Sequence, residues 1–577
     1  MSNEFIKFPS RRSTVYSTKG MVCSTQTLAN SAGIKVLELG GNCVDAAIAV
    51  SAALCVTEPG STGIGGDMFA LYYKAGDSQV FGINGTGRAA KDITIDYVRE
   101  QLGDKDAKRI PYESIFAVTV PGAIAGWYDS FKEWGSGKVS FEQILQPAID
   151  LAENGFPLGE IASELWTRET KKLLRQNPTG PNPFIINGTT PKEGEVVYNK
   201  QVAETLKKIG KDGKSAFYEG PIAESIVKTT SERKHKLSLE DLSSHTSTFV
   251  TPIKIEFQDH YVWEIPPNGH GLVALLALGI IQELHESGAI DLYKLEHNSV
   301  EYLHLLIEAS KLAFHDAEEY VTDAEFHNVP LHELLEKKYL ASRAKLIEVT
   351  KALDSLTITH GVPDPKFKSD TVYLTVSDSN GDACSFINSV YEHFGTGILA
   401  DDRGFCLHNR GSNFNLSAGL SNSLEGGKRP YHTIIPGLIT RKDGSLFASF
   451  GNMGGFAQPV CHLQHVLNLI VFKMTPQQLI DSPRFVLDSD FDPKTDRGRG
   501  ANSPISTNVT IVSLEEGIPE DVVDGLLKLG HTTRYVTGYA RSTFGRAQII
   551  KKEEKDGKFV YAGGSELRSD GAATPLI

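Results

Sequence analysis

The sequence SDTVYLTVSD at 369–378, the turn SNGD at 379–382 and the apolar run ACSFINSVY at 383–391 form the stretch that decides the fold. Two runs rich in β-branched and aromatic residues on either side of an Asn-Gly turn predict a β-hairpin. Thr371 then opens the first strand, directly after the Pro- and Lys-containing loop at 362–368. A hydroxyl at the mouth of a sheet, beside an accessible loop, is a candidate self-cleavage point.

By itself, a threonine at the start of a strand needs no catalytic explanation, because β-branched residues favour strands. Four further sequence motifs bear on the role of Thr371: GGNCVDAA at 40–47, FGTGI at 394–398, Arg429-Pro430, and NMGG at 452–455. Together they resemble the γ-glutamyltransferase (glutathione hydrolase) family of N-terminal-nucleophile hydrolases. The resemblance runs from about Gly20 to the C-terminal GGS at 563–565 and Asp570-Gly571.

Composition excludes several classes of function. The chain has 577 residues, 40% hydrophobic and 22% charged, which is typical of a soluble globular protein. This length predicts two or more domains, or one large two-layered unit. The formal net charge of −13 argues against nucleic acid or an anionic membrane as a partner, because both require clustered cations.

The sequence has no recognisable targeting or metal-binding pattern. Residues 1–10 contain no apolar signal core, and the longest apolar run, at 272–281, is too short to span a bilayer. Six scattered cysteines lack metal-ligand spacing and are expected to be reduced and buried. We therefore expect a cytoplasmic enzyme with no cofactor and no metal. Secreted and surface members of the family carry a targeting or anchor segment.

The order of periodicities predicts the architecture. Helical spacing dominates before 349, for example at 26–39, 44–55, 141–154 and 300–320, whereas the chain after Thr371 is strand-rich, with runs such as 434–438 and 446–450. This pattern predicts an α/β fold of the αββα type, two stacked sheets flanked by helices, which the resemblance also implies. The change of character places a boundary at Asp370/Thr371, between a large subunit (1–370) and a small subunit (371–577).

The glycine-rich segment GSTGIGGD at 60–67 superficially suggests a phosphate-binding loop. A helix precedes it and a strand follows, whereas nucleotide-binding loops need the order strand, loop, helix. Tight backbone packing beside the active site is the better interpretation.

The chemistry of Thr371 follows from what a hydroxyl nucleophile needs. A neutral hydroxyl requires a base, and cleavage before Thr371 would supply one as a free α-amino group with a pKa of about 7.7–8.0. We expect the Thr371 hydroxyl to attack the Asp370 carbonyl, the acyl group to shift from nitrogen to oxygen, and water to cleave the ester. The two resulting subunits would stay together as one active unit, and a homodimer is one possible assembly.

The resemblance assigns roles to further residues. Gly454 and Gly455 match the paired glycines that hold the oxyanion, and Ser389 aligns with a threonine whose hydroxyl bonds the nucleophile. His432 and Thr433 occupy a Ser-Ser position. Thr433 is expected to keep one hydrogen bond to substrate, and His432 is either a contact or only a lining residue.

The departures from the family bear on the substrate. In members that cleave glutathione, an acidic residue grips the substrate α-ammonium, and the matching position here is Asn413. Tyr391 stands where the family has an Asn that contacts the substrate. Arg410 occupies the position of a Gln or Glu in the family. The family's arginine that grips the substrate α-carboxylate corresponds to Arg88, which lies about three places later in this sequence. Losing the acid costs γ-glutamyl recognition about ten- to a hundredfold. Arg410 and Arg88 are expected to clamp a carboxylate on an acyl group without an α-amine.

Three functional hypotheses follow. The first is an amidohydrolase or acyltransferase acting on γ-glutamyl amides such as glutathione, or on closely related small carboxyl-bearing amides, through acyl-Thr371. The second is a hydrolase of oxamate or glutaryl amides with little transferase activity. The third is an unprocessed scaffold without catalysis. A single uncut chain after purification would favour the third.

Overall fold

The structure is a computed structural model that describes residues 12–354, 371–489 and 510–577. Asp370, the residue before the predicted cleavage point, lies outside these ranges.

The described residues form nineteen β-strands: β1 (Val15–Ser17), β2 (Met21–Ser24), β3 (Asp67–Lys74), β4 (Gln79–Gly85), β5 (Phe156–Pro157), β6 (Val196–Val197), β7 (Thr248–Val250), β8 (Ile253–Phe257), β9 (His260–Glu264), β10 (Val372–Ser377), β11 (Ala383–Ser389), β12 (Gly437–Arg441), β13 (Leu446–Met453), β14 (Phe485–Ser489), β15 (Thr510–Glu515), β16 (Thr532–Val536), β17 (Arg546–Lys555), β18 (Lys558–Ser565) and β19 (Ala572–Pro575).

The same ranges contain seventeen α-helices: α1 (Thr27–Glu38), α2 (Cys43–Thr57), α3 (Ile95–Leu102), α4 (Ala123–Trp134), α5 (Phe141–Asn154), α6 (Glu160–Gln176), α7 (Lys200–Asp212), α8 (Ser215–Tyr218), α9 (Gly220–Ser231), α10 (Leu239–Ser243), α11 (Gly271–Glu286), α12 (Val300–Tyr320), α13 (Leu331–Leu334), α14 (Lys337–Ala344), α15 (Ala457–Ile470), α16 (Pro476–Asp481) and α17 (Glu520–Lys528). None of them combines the length and apolar character needed to cross a bilayer.

Two seven-stranded sheets form the centre of the molecule. Sheet I has the order β1-β18-β17-β13-β12-β9-β8, and sheet II has the order β19-β2-β10-β11-β3-β4-β7. Each sheet contains strands from before and after Thr371, so the predicted large and small subunits would share both sheets. The position of the cleavage point stays a prediction.

The fold has four layers, namely helices, sheet II, sheet I and helices, and a hydrophobic cluster lies at each of the three interfaces between them. Alternate residues of β10 point to opposite faces, so Val372 and Leu374 pack under α1, α2 and α5, whereas Tyr373 lies between the sheets. On sheet I, Ile439 and Phe450 pack under α11, α12 and α15. The architecture is therefore the predicted αββα sandwich.

The predicted hairpin is confirmed. Strands β10 and β11 pair in antiparallel register from Val372 with Asn388 to Ser377 with Ala383, and Gly381 in the turn has a positive φ of 89° that suits glycine. The central position of this hairpin in sheet II explains why it organises the rest of the chain.

Local sequence patterns also predicted the positions of several other elements. The helices expected at 141–154 and 300–320 have those bounds, and Asn42 starts α2 with a capping box that includes Asp45. The strand expected at 434–438 is wrong in position, since the strand is β12. Residues before it form a buried loop whose backbone bonds side chains instead of a neighbouring strand; the Ile435 amide, for example, donates to Gln458 Oε1 at 2.9 Å.

Candidate active site

Thr371 directly precedes β10 and is fully buried. Its Oγ1 lies 2.9 Å from the Oγ of Ser389, the last residue of β11, so the hairpin register brings the two hydroxyls together. The Tyr391 backbone N–H donates to Ser389 Oγ at 2.8 Å. Ser389 is thus fixed beside the proposed nucleophile, as the sequence predicted.

The two sheets place Gly454 and Gly455 at the level of Thr371. Thr375 Oγ1 lies 2.6 Å from Ser449 Oγ across the sheet interface, and a Cβ on Gly451 would overlap the ring of Tyr373. These contacts advance by two residues along both β10 and β13. The next pair in this series would be Thr371 and Met453, the residue before the paired glycines.

The paired glycines lead into α15 and have unusual backbone angles. Their φ values are +137° for Gly454 and +57° for Gly455, and neither backbone N–H has an acceptor among the described residues. The N-terminal end of a helix carries a partial positive charge. Two unbonded N–H groups at that end can stabilise the oxyanion of an acyl-transfer intermediate.

A buried arginine lies on the other side of Ser389. Arg410 Nη1 donates to Thr433 Oγ1 at 2.6 Å, and its Nη2 lies 3.4 Å from Ser389 Oγ. Its guanidinium carbon is 4.0 Å from the ring centroid of Tyr391, a cation–π contact. No described carboxylate forms an ion pair with Arg410, and burial lowers the pKa of Arg410 to about 10. The site therefore holds a buried cation beside Ser389 that has no ion-pairing acid, although the Asp67 and Glu392 carboxylates act on its pKa from further away.

Asn413 is held by two neighbours. The Tyr391 hydroxyl donates to Asn413 Oδ1 at 2.6 Å, and Asn413 Nδ2 donates to the Tyr431 carbonyl at 2.9 Å. Burial raises the pKa of Tyr391 well above its ordinary value, so the phenol is a neutral donor. The residue predicted to stand in place of the family's acid is thus an amide whose oxygen and nitrogen both form hydrogen bonds within the protein.

His432 belongs to a buried polar cluster that sequence reasoning missed. His432 Nε2 lies 3.0 Å from Asp67 Oδ2, and His408 Nδ1 lies 3.3 Å from the same oxygen. Burial raises the pKa of Asp67, but His408 and His432 hold it well below its ordinary value, and burial lowers the pKa of His432 to about 3. Neutral His432 therefore donates to the Asp67 carboxylate. The only local signal for Asp67 is an acid placed between a glycine-rich loop and a strand.

The glycine-rich segment packs tightly against this cluster. A Cβ on Gly65 would overlap the Cys406 carbonyl, and one on Gly66 would overlap the Ser389 carbonyl. The predicted backbone packing beside the active site is confirmed.

A family comparison agrees with this geometry. The sequence model of the gamma-glutamyltranspeptidase family matches residues 29–576. The chain belongs to the gamma-glutamyltranspeptidase family.

Individual members of the gamma-glutamyltranspeptidase family match over nearly the whole chain. The glutathione hydrolase-like YwrD proenzyme of Bacillus subtilis (strain 168) is 34% identical over 563 residues, 97% of this chain and 99% of the relative. The oxamate amidohydrolase proenzyme of Klebsiella pneumoniae is 28% identical, with 96% and 98% covered. The crystal structure of cephalosporin acylase from Bacillus halodurans has a TM-score of 0.86 at 36% identity, with 98% of each chain covered. Family membership supports an enzyme of the N-terminal-nucleophile hydrolase and transferase type, which argues against the scaffold hypothesis.

Arg88 is the predicted site residue that this gamma-glutamyltranspeptidase-family structure does not join to the others. Its Nη2 bonds the Glu325 carboxylate at 3.2 and 3.3 Å, and its Nη1 lies 3.5 Å from the Thr246 carbonyl. None of its contacts reaches Arg410, so the two arginines do not form the expected clamp. The physical reason is that Glu325 already neutralises Arg88.

One group of side chains in this family member has the composition of a metal site. His304, Glu308 and His531 lie together and are buried. However, the Lys311 ammonium group bonds Glu308 Oε1 at 2.8 Å, and His304 Nδ1 lies 2.7 Å from His531 Nε2. A cation is already supplied by Lys311, so this group is satisfied as a hydrogen-bond network. The six cysteines are buried free thiols.

Proposed function

We propose that this enzyme hydrolyses amides of small acyl groups that carry a carboxylate, through an acyl-Thr371 intermediate. The observation that carries the proposal is Arg410: a buried guanidinium, adjacent to Ser389 and without an acidic partner among the described residues. Burying a charge is costly unless an opposite charge pairs with it. A substrate carboxylate would supply that charge, bonded through the guanidinium of Arg410.

The reaction would begin once cleavage before Thr371 has released its α-amino group. The amine takes the proton of Thr371 Oγ1 as the oxygen attacks the amide carbonyl. The backbone N–H groups of Gly454 and Gly455 stabilise the oxyanion, and the amine returns the proton to the leaving nitrogen. Water, deprotonated by the same amine, then hydrolyses the acyl ester.

The favoured acyl group lacks an α-ammonium. Asn413 brings no negative charge, and its amide is already bonded by Tyr391 and Tyr431. Oxamate and glutaryl amides belong to this class of substrate, and the relative named oxamate amidohydrolase supports this choice. The second candidate is the γ-glutamyl amide class, including glutathione, which is favoured by the relative named glutathione hydrolase-like.

Intact mass spectrometry and paired substrates test the proposal. Wild-type protein should give two chains that meet at Asp370/Thr371, and T371A one uncut chain. Glutaryl-p-nitroanilide should be hydrolysed faster than γ-glutamyl-p-nitroanilide. R410Q should lower kcat/KM for the glutaryl substrate by about ten- to a hundredfold, because hydrogen bonds to a charged group are lost.

The uncharged valeryl-p-nitroanilide is the matched control, since it has the same length without the carboxylate. Its turnover should change little in R410Q. An equal loss for both substrates would mean that Arg410 supports the site without recognising the carboxylate. An uncut wild-type chain, or cleavage in T371A, would exclude Thr371 as the nucleophile.

A further inference from the structure

Asn452 is a fully buried residue of β13 that the proposed mechanism does not use. Its Nδ2 donates to the Met453 carbonyl at 2.7 Å and lies 3.4 Å from the Phe544 carbonyl. Its Oδ1 accepts from Arg484 Nη1 at 2.9 Å. Since the nitrogen faces two carbonyls and the oxygen faces a guanidinium, the amide has one orientation that satisfies all of these partners.

The Met453 carbonyl and the Gly454 N–H belong to the same peptide group. This peptide is trans, so its carbonyl and its N–H point in opposite directions. The direction of the Met453 carbonyl therefore decides where the Gly454 N–H points. That N–H is one of the two donors assigned to the oxyanion, so Asn452 directly contacts the peptide group that carries it.

Gly545, the residue before β17, packs against the same contact. A Cβ on Gly545 would overlap both the Met453 carbonyl oxygen and Asn452 Nδ2. The carbonyl therefore faces Gly545, and the Gly454 N–H faces away from it. Met453 itself packs between the sheets in one cluster with Tyr373, whereas Asn452, the preceding residue of the strand, points to the opposite face. Asn452 thus acts on the Gly454 N–H through the peptide, without reaching the space between the sheets.

Arg484 holds the Asn452 amide in place. Its Nη2 pairs with the Glu566 carboxylate at 2.6 Å, and all three side chains are buried. Hydrogen bonds then run in one direction, from the guanidinium through the Asn452 amide to the Met453 carbonyl. Bonds in such a chain polarise one another. This polarisation strengthens the Gly454 N–H as a donor.

The second oxyanion donor is positioned independently of Asn452. The Gly454 carbonyl shares a peptide group with the Gly455 N–H, and the Ala457 amide donates to that carbonyl at 3.1 Å at the start of α15. The helix itself therefore sets the direction of the Gly455 N–H. Removing the Asn452 contact would displace one donor and leave the other in place.

We propose that Asn452 is a positioning residue for the oxyanion site: it aims the Gly454 N–H, and Arg484 holds it in the required orientation. This inference rests on the proposed function, since the oxyanion forms only when Thr371 attacks a substrate carbonyl. The negative charge on that oxygen is greater in the transition state than in the bound substrate. Loss of the Asn452 contact should therefore lower kcat and leave KM nearly unchanged.

N452D is the decisive variant. Aspartate keeps the shape of the side chain and still accepts from Arg484, but it has no proton for the Met453 carbonyl, so the two oxygens repel and the peptide turns. For both glutaryl- and valeryl-p-nitroanilide, kcat should fall by about ten- to a hundredfold, because one donor is displaced. N452A, which also loses the contact with Arg484, should show a similar loss. Wild-type kcat in N452D would overturn the proposal.

A matched control separates this role from a general effect on the fold. Asn199 is also buried, and its Nδ2 donates to the Gly404 carbonyl at 2.7 Å, outside the candidate site. N199D should keep the wild-type kcat when rates are expressed per cleaved chain, counted by the intact mass of 371–577. Equal losses in N199D and N452D would contradict a specific role. If the Asn452 variants do not fold or stay uncut, Asn452 serves the fold or the cleavage, and the proposal is likewise overturned.

Butylboronic acid gives a measurement that needs neither turnover nor a substrate carboxylate. Thr371 Oγ1 forms a bond to boron, its proton passes to the α-amino group and no group leaves, so the adduct is a tetrahedral anion with an oxygen at the oxyanion position. Calorimetry should give a Kd about ten- to a hundredfold weaker in N452D than in wild type. An equal Kd in the two proteins would overturn the proposal.

The boronate also keeps the two proposals distinct. If wild type binds butylboronic acid but hydrolyses none of the anilides, the proposed function fails, while the Kd of N452D still decides the role of Asn452. If wild type is not cut, both proposals fail at the nucleophile.

Discussion

The Tyr391 hydroxyl donates a hydrogen bond to Asn413 Oδ1 at 2.6 Å, so the residue predicted to replace the family's acid is already bonded within the protein. The other polar atom of Asn413 donates to the Tyr431 carbonyl. An aspartate at 413 could still accept from Tyr391, but its second oxygen would face the carbonyl of Tyr431 without a proton between them.

N413D should therefore have two effects. The free energy of unfolding should fall by about 1–3 kcal/mol, because the Tyr431 carbonyl loses its donor. The ratio of kcat/KM for γ-glutamyl-p-nitroanilide to that for glutaryl-p-nitroanilide should rise about tenfold, because the new charge attracts the α-ammonium. N422D is the control. Asn422 Nδ2 donates to the Asn413 carbonyl and its Oδ1 accepts from the Tyr431 amide, so Asn422 lies next to the candidate site without being part of it. A ratio that stays constant in N413D would contradict this assignment of the pocket.

The Ser389 hydroxyl is expected to support both processing and turnover. S389A removes the 2.9 Å partner of Thr371 Oγ1 and the acceptor for the Tyr391 amide, so kcat should fall about ten- to a hundredfold. S389T keeps the hydroxyl and should retain most of the activity. S385A is the control, since Ser385 lies on the same strand and bonds Tyr373 instead. Wild-type kcat in S389A would show that Ser389 has no part in the reaction.

Gly454 is expected to tolerate no side chain. Its φ of +137° is rarely adopted by other residues, and an added Cβ would lie 3.2 Å from the Gly545 Cα. G454A should therefore misplace the oxyanion N–H groups and lower kcat by about a hundred- to a thousandfold, with little change in KM. G530A is the control: Gly530 also has a positive φ, of +99°, but the nearest atom to its Cβ is 3.8 Å away. A G454A enzyme as active as G530A would argue against the oxyanion role.

The sequence predicted the part of the site that depends on local order. Two runs rich in β-branched and aromatic residues around an Asn-Gly turn predicted the β10–β11 hairpin, and the hairpin register alone brings Thr371 to Ser389. Contacts between distant segments could not be found in this way. His432 and Asp67 are 365 positions apart, and Arg546 and Glu58 are 488 apart, so no periodicity links them. The same limit applies to Arg88, because nothing in its local sequence predicts that it pairs with Glu325.

The stability of the enzyme is expected to fall in mild acid because several buried histidines are held neutral. His235 is an instance away from the site: it is 5% exposed, stacks on Phe116 and accepts from the Leu237 amide through Nδ1 at 2.9 Å. Burial lowers the pKa of His235 from 6.5 to about 4. Below pH 6.5 the unfolded chain binds the proton more readily than the folded one, so this histidine's contribution is complete above that pH and is lost as the pH falls toward 4. The loss amounts to about 3 kcal/mol.

H235N isolates this effect, because the Asn side-chain oxygen can accept from Leu237 without titrating. Urea unfolding between pH 7.5 and 4 should show a shallower fall in the free energy of unfolding than wild type, with the difference developing below pH 6.5. The variant should be less stable at pH 7.5, since it loses the contact with Phe116. H332N is the control, because His332 is exposed and its loss should leave the pH dependence as in wild type. If H235N and wild type lose stability in parallel, His235 is protonated without penalty in the folded enzyme, and the acid sensitivity arises from the other buried groups.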